Sequence, residues 1–304
     1  GRAGGRERGV PVPPVDSPGV LLVTSADPRD LTDDDRLVID ALTTRGVRAR
    51  PAVWDDPGVD WRAAPLAVIR STWDYIGRRD AFVRWAETTD AVTTLLNPAA
   101  VVRRNTHKGY LRDLAAAGVP VIDTVWLPAG RPADLAEVIA GWDTAVVKPC
   151  VSAGARGTVR VTAAEAPQAQ AHLDALLAEG DVMVQPYLRA VEDEGELSVV
   201  VIDGVPSHAV RKRPAARDFR VQEEFGGRTE PWPLDDELRA AAAAVVAADG
   251  LGPLLYRRVD LVRDDAGSLR LVEVELVEPA LYLSGDPDAP ERLADAITAR
   301  LEAA

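Results

Sequence analysis

The stretch LLYRRVDLVRDDAGSLRLVEVEL, residues 254–276, decides how this chain is read. Residues 254–263 and 268–276 are β-patterned, and Asp264-Asp265-Ala266-Gly267 between them has turn composition, so an antiparallel hairpin is predicted. Closing it between Arg263 and Ser268 places Asp260 opposite Leu271 and diagonal to Glu273, with Glu275 on the same face. Val272, Val274 and Leu276 then form the buried opposite face. Three carboxylates on one face repel by ~1 kcal/mol or more per close pair unless a cation separates them. A hard divalent ion such as Mg²⁺ meets that need, taking one or two carboxylates together with phosphate oxygens. An exposed acidic strand face is the alternative.

Working upstream, cations gather. Ser207-His208-Ala209-Val210-Arg211-Lys212-Arg213 reads as the return strand of a hairpin turned at Asp203-Gly204, after a strand over 197–202. His208, Val210 and Lys212 share one of its faces, Arg211 and Arg213 the other. The next loop adds Arg217, Arg220 and Gly226-Gly227. Before this lie an apolar strand, Val182-Met183-Val184-Gln185-Pro186-Tyr187-Leu188, and the acidic run Glu192-Asp193-Glu194-Gly195-Glu196. Earlier still, the strand Ala145-Val146-Val147-Lys148-Pro149 delivers a lysine to the loop 150–158, which carries Ser152, Gly154, Gly157 and Thr158. Glycines let backbone N–H groups converge on an oxyanion. No GxxxxGK[ST] is present, so this is not a Walker A loop. A helix after Asn97-Pro98 is predicted to carry Arg103, Arg104, His107 and Lys108, as a phosphate-facing cluster or as a solvated basic face.

Residues 19–97 alternate strands with helices, the pattern of a parallel sheet covered by helices. Strands are expected at 20–24, 47–54 and 66–69, a helix capped by Thr32 with Asp33, Asp34 and Asp35 in its first turn, and a second helix over 80–88. Ligands of such sheets sit beyond strand carboxyl ends, where Arg70, Ser71, Thr72, Trp73, Asp74 and Tyr75 fall. Arg70 is a candidate for a substrate carboxylate; an Arg70–Asp74 ion pair is the structural alternative.

The chain's 304 residues suffice for about two domains. Acidic groups exceed basic ones, 48 against 35, giving a net charge of −13 that repels nucleic acid and anionic membranes, so a bound polyanion needs a local basic cluster. A single cysteine, Cys150, leaves no internal disulfide or thiolate zinc site, which fits a cytoplasmic location and a packing role for that thiol. The Gly-, Arg- and Pro-rich residues 1–18 lack the apolar core of a secretory signal and read as a flexible tail. No apolar run is long enough to span a membrane.

Lys108, Lys148 with its Ser/Gly loop, Gln185-Pro186-Tyr187-Leu188, Glu196, Lys212, Arg220, Asp260 and Glu273-Val274-Glu275, in that order, resemble the ATP-grasp superfamily of carboxylate–amine ligases. The resemblance implies an ATP-grasp fold, mixed α/β and α+β: an N-terminal parallel α/β domain at 19–97, a small subdomain at 98–185 and a C-terminal subdomain at 186–304, the last two clamping ATP. It implies that Lys108 and Lys148 bind the α- and β-phosphates under a loop containing Ser152, Gly154 and Gly157. Gln185 with Tyr187 and Leu188 would receive adenine, and Glu196 the ribose, with Glu192 a competitor. Lys212 and Arg220 would meet the γ-phosphate and acyl phosphate, while Asp260, Glu273 and Glu275 would hold Mg²⁺. Glu275 departs from the superfamily's usual asparagine.

The words around Arg70 to Tyr75, Ser207 to Lys212, Asp218 to Gln222 and Glu273 to Pro279 resemble the D-cycloserine synthetase branch, the O-ureido-D-serine cyclo-ligases. That resemblance implies ATP-driven phosphorylation of a carboxylate and attack by a nitrogen of the same small amino-acid substrate. Substrate contacts would come from Arg70, Ser71, Tyr75, Ser152, His208 and Arg220, with His208 able to move a proton. Homo-oligomers are common among such enzymes. A ligase joining two molecules, in the manner of a dipeptide ligase or glutathione synthetase, is the nearest alternative. A nucleotide-binding regulatory protein and a hydrolase using Cys150 and His208 are the others.

Overall fold

A computed structural model describes residues 19–26, 31–152, 154–215, 220–221 and 226–304. The tail over 1–18, Arg217 and most of the word from Asp218 to Gln222 lie outside the described residues.

The chain opens with β1 (Val20–Thr24), α1 (Asp33–Thr44), β2 (Ala49–Val53), β3 (Leu66–Ser71), α2 (Arg79–Asp90) and β4 (Thr94–Leu96). The four strands form a parallel sheet in the order β2-β1-β3-β4. β1 and β3 are buried along their whole length, as strands covered on both faces must be. Thr32 and Asp35 form a capping box at the start of α1, satisfying two N–H groups that helical bonding leaves open. On the buried side of α2, Phe82 stacks on Tyr75 at 4.6 Å and on Trp85 at 5.1 Å, which fixes the single 3₁₀ turn Trp73–Tyr75 beyond the end of β3.

Next come α3 (Ala99–Asn105), α4 (Tyr110–Ala116), β5 (Val125–Leu127), α5 (Leu135–Val138), β6 (Thr144–Pro149), β7 (Val159–Thr162), α6 (Ala166–Glu179) and β8 (Val182–Pro186). The expected single basic helix is two helices: Arg103 and Arg104 end α3, and His107 and Lys108 lie in the break. The break has a cause: the Lys108 N–H donates to the Cys150 carbonyl at 2.8 Å, drawing the backbone to the end of β6. Strands β5-β8-β6-β7 form an antiparallel sheet backed by α5 and α6 through Leu135, Ile139, Leu173 and Leu177.

The remainder is α7 (Ala190–Asp193), β9 (Glu196–Ile202), β10 (Val205–Arg213), β11 (Arg228–Trp232), α8 (Asp236–Asp249), β12 (Tyr256–Arg263), β13 (Leu269–Glu275) and α9 (Ala289–Glu302). Its antiparallel sheet runs β11-β10-β9-β12-β13. Asp203 and Gly204 both have positive φ, 50° and 79°, the backbone of the tight turn read from the sequence. The helix α9 returns to the first sheet and packs with α1 around Val38, Leu42, Leu293 and Ile297. Among the described residues no helix is long and apolar enough to cross a membrane.

Candidate active site

The hairpin β12–β13 differs in register from its sequence reading, and the difference matters little. Arg263 pairs with Leu269 rather than Ser268, and a bulge between Asp260 and Leu261 moves the ladder once more, so Asp260 faces Glu273 directly instead of Leu271. Two offsets of one residue restore the face, because side chains alternate with a period of two. Oxygens of Asp260, Glu273 and Glu275 consequently lie within 4.8 Å of one another.

Cations surround this cluster. Lys108 Nζ is 2.8 Å from Glu273 Oε2, and Lys212 bridges Glu196 and Asp260, the latter at 3.3 Å. Arg258 donates to Asp260 at 2.8 Å and to Glu275 at 2.5 Å. Burial opposes the charge of Glu273, yet Lys108 brings its carboxyl down to about 2. Burial raises Glu275 to about 8, with Arg258 opposing and Glu273 and Asp260 adding to the rise. Burial disfavours the charge of Lys212, but Asp260 and Glu196 more than compensate, so its ammonium is held protonated. Lys148 is lowered by burial and by Lys108; among the described residues it forms no ion pair.

These groups line a cavity of about 790 Å³. Lys108, Lys148, Ser152, Gly154, Glu196, Lys212, Arg220, Glu273 and Glu275 stand on its wall, and Asp260 lies behind it, wholly buried. Tyr75 comes to the same wall from the first sheet, with Trp73 beside it. An acidic triad of hard oxygen donors, ringed by lysines and opening on a space of this size, fits a divalent ion carrying a polyphosphate.

Other expected residues stand elsewhere. Arg70 is buried against Asp35, the capping-box carboxylate, with Nε to Oδ1 at 2.8 Å; it neither lines the cavity nor meets Asp74, which accepts from Trp54 and Arg78. Ser71 Oγ pairs with Thr24 Oγ1 at 2.8 Å, between the last residues of β3 and β1. His208 is buried on β10, its Nε2 2.8 Å from the Leu281 carbonyl and its Nδ1 3.0 Å from Ser207 Oγ, off the cavity wall. Both ring nitrogens are thus occupied by structural partners, which removes the geometric basis for a proton-transfer role. Gly157 packs on Pro149, Gln185 donates to Thr124 Oγ1, and Glu192 pairs with Arg160 and Tyr187; these four residues, Tyr187 among them, and Leu188 are not on the wall. Cys150 is 1% exposed, and burial pushes its thiol up to about 12, consistent with packing and not with a nucleophile.

Sequence reasoning passed over Arg258, Glu278 and Tyr282, all on the wall. Arg258 was within reach, since it shares strand parity with Asp260. Glu278 and Tyr282 follow β13 in irregular backbone, where no periodicity places a side chain.

Residues 20–97 match the family described as D-cycloserine synthetase DcsG, N-terminal domain, and residues 117–280 the prokaryotic glutathione synthetase ATP-grasp domain. The cycloserine biosynthesis protein DcsG of Streptomyces lavendulae is 36% identical over 297 residues, 93% of this chain and 99% of that protein. Glutathione synthetase of Prochlorococcus marinus (strain MIT 9313) is 32% identical over 217 residues, 69% of this chain and 65% of its own length. The crystal structure of D-cycloserine synthetase DcsG superposes with a TM-score of 0.84 at 35% identity, covering 93% of this chain and 99% of that one. D-Alanine–D-alanine ligase from Bacillus anthracis shares the fold, with a TM-score of 0.65 at 16% identity over 93% and 97% of the two chains. The chain therefore belongs to the ATP-grasp superfamily of carboxylate–amine ligases, with an N-terminal domain of the D-cycloserine synthetase kind.

Proposed function

We propose that this protein is an ATP- and Mg²⁺-dependent cyclo-ligase that converts O-ureido-D-serine to D-cycloserine. The observation that carries the reading is likeness along the whole chain, the N-terminal segment included, to a protein of cycloserine biosynthesis. That segment supplies Trp73, Tyr75 and Ile76 to the cavity wall, residues that a glutathione synthetase match over 117–280 does not include.

Phosphoryl transfer asks the protein mainly for positioning and charge neutralisation. Lys108 and Lys148 meet the phosphates of ATP from the side of β6, and the loop carrying Ser152 and Gly154 covers them. Lys212 and Arg220 neutralise the transferred phosphoryl group. Asp260, Glu273 and Glu275 would hold Mg²⁺, which when bound would offset the charge of the phosphates. Arg258, between Asp260 and Glu275, keeps the extra carboxylate of Glu275 from repelling the incoming substrate. Once the substrate carboxylate is an acyl phosphate, the aminooxy nitrogen of the same molecule displaces phosphate and closes a five-membered ring, and water hydrolyses the ureido group, its carbonyl carbon leaving as carbon dioxide and its amide nitrogen as ammonia.

The match of residues 117–280 to glutathione synthetases favours a second reading, a ligase joining two separate molecules. Incubation with ATP, Mg²⁺ and O-ureido-D-serine alone separates them. The expected result is ADP and D-cycloserine; turnover only when a second amine is added supports the intermolecular reaction instead.

A further inference from the structure

Four carboxylates line the cavity, and three are engaged by cations: Glu196 by Lys212, Glu273 by Lys108 and Glu275 by Arg258. The fourth, Glu278, forms no ion pair among the described residues and is 8% exposed. Its orientation is set from the first-sheet side. Tyr75 stands on the same wall, near enough to act on its carboxyl, and the Trp73 indole Nε1 donates to its backbone carbonyl at 2.9 Å. Tyr75 is in turn locked by its stack on Phe82. A carboxylate whose backbone is held by Trp73 thus faces the part of the cavity contributed by the N-terminal segment, with no ion-pair partner among the described residues.

A ligation leaves one proton to be placed. When a nitrogen attacks an acyl phosphate, its lone pair forms the N–C bond, the C–O bond to phosphorus's oxygen breaks with its electron pair going to phosphate, and the N–H proton must depart. We propose that Glu278 is the base of this step, its carboxylate accepting a hydrogen bond from the attacking N–H and taking the proton as the N–C bond forms. The inference rests on the ligase reading above. No other group on the first-sheet side of the cavity serves: Trp73 is a donor only, and burial raises the Tyr75 hydroxyl well above its ordinary value.

The electrostatics agree with the geometry. Burial pushes the Glu278 carboxyl up to about 7, with Tyr75, Lys108 and Arg258 acting to lower it. Glu275 and Tyr256 are the other titratable groups that feel its charge. A base with such a value is substantially ionised near neutrality and still basic enough to take a proton.

The test uses the full chain with ATP, Mg²⁺ and O-ureido-D-serine, with and without hydroxylamine, which traps the acyl phosphate as a hydroxamate. In Glu278→Gln, trapped hydroxamate is expected to stay at the wild-type level while ring closure slows on the order of 10²-fold or more. The wild-type rise of kcat/KM with pH through about 7 is expected to vanish in that variant and to persist in Glu278→Asp. Wild-type turnover and an unchanged pH limb in Glu278→Gln overturn the assignment, as does loss of hydroxamate together with product in both variants. Absence of ADP and hydroxamate with the wild-type protein overturns the ligase reading itself, so the two failures are distinguishable.

Discussion

Glu273 connects the acidic triad to the lysines: it faces Asp260 across the hairpin and receives Lys108 at 2.8 Å. Glu273→Gln keeps the volume and removes the charge, so ADP formation is expected to fall on the order of 10²-fold or more, read by a coupled ADP assay, with the thermal midpoint little changed. Full activity in that variant contradicts its placement beside the metal and phosphates. Cys150 gives the opposite kind of expectation. A thiol raised to about 12 and 1% exposed is almost wholly protonated at pH 8, so a maleimide should leave the native protein unlabelled and modify it after denaturation. Rapid labelling of the native chain contradicts the packing role. At this scale the chemistry-bearing residues were legible by type and order, but their partners were not. Arg70 was read as facing substrate or Asp74, and it meets Asp35, because pairing depends on where α1 docks and no spacing along the chain encodes that.

At the scale of elements, patterning carried the hairpins further than their exact register. The acidic face of β12–β13 survived a loop one residue longer than expected and a bulge, since the two shifts sum to an even number. The basic helix failed for a related reason: a backbone hydrogen bond from Lys108 to the end of β6 interrupts it, and such a long-range contact leaves no local mark. Gly195 is the element-scale feature most open to test. Its φ is 87°, and a Cβ there would lie 2.5 Å from the Lys212 carbonyl oxygen. Gly195→Ala is expected to cost roughly 1–3 kcal/mol from the left-handed backbone alone. The same variant should lower turnover by displacing Lys212 from Glu196, which calorimetric melting and the ADP assay check together. An unaltered melting curve with unaltered turnover contradicts the close approach of these two strands.

For the whole molecule, the cavity exists only because three sheets converge on it. Lys148 arrives from β6, Lys212 and Glu273 from the last sheet, and Tyr75 from the turn beyond β3. Each strand was readable alone; the meeting of Tyr75 with Glu278, 203 positions further along the chain if counted directly, required the packing of α2's aromatic cluster and the path of the chain after β13. The central claim is that this convergence forms a seat for Mg²⁺ and a triphosphate. Isothermal calorimetry with a non-hydrolysable ATP analogue, with and without Mg²⁺, on the wild-type chain and on Lys148→Ala tests it most directly. Binding that requires Mg²⁺ and weakens at least about tenfold in Lys148→Ala, roughly the loss of one charge-assisted contact, is the expected result. No heat of binding from the wild-type chain with the divalent ion present contradicts the claim.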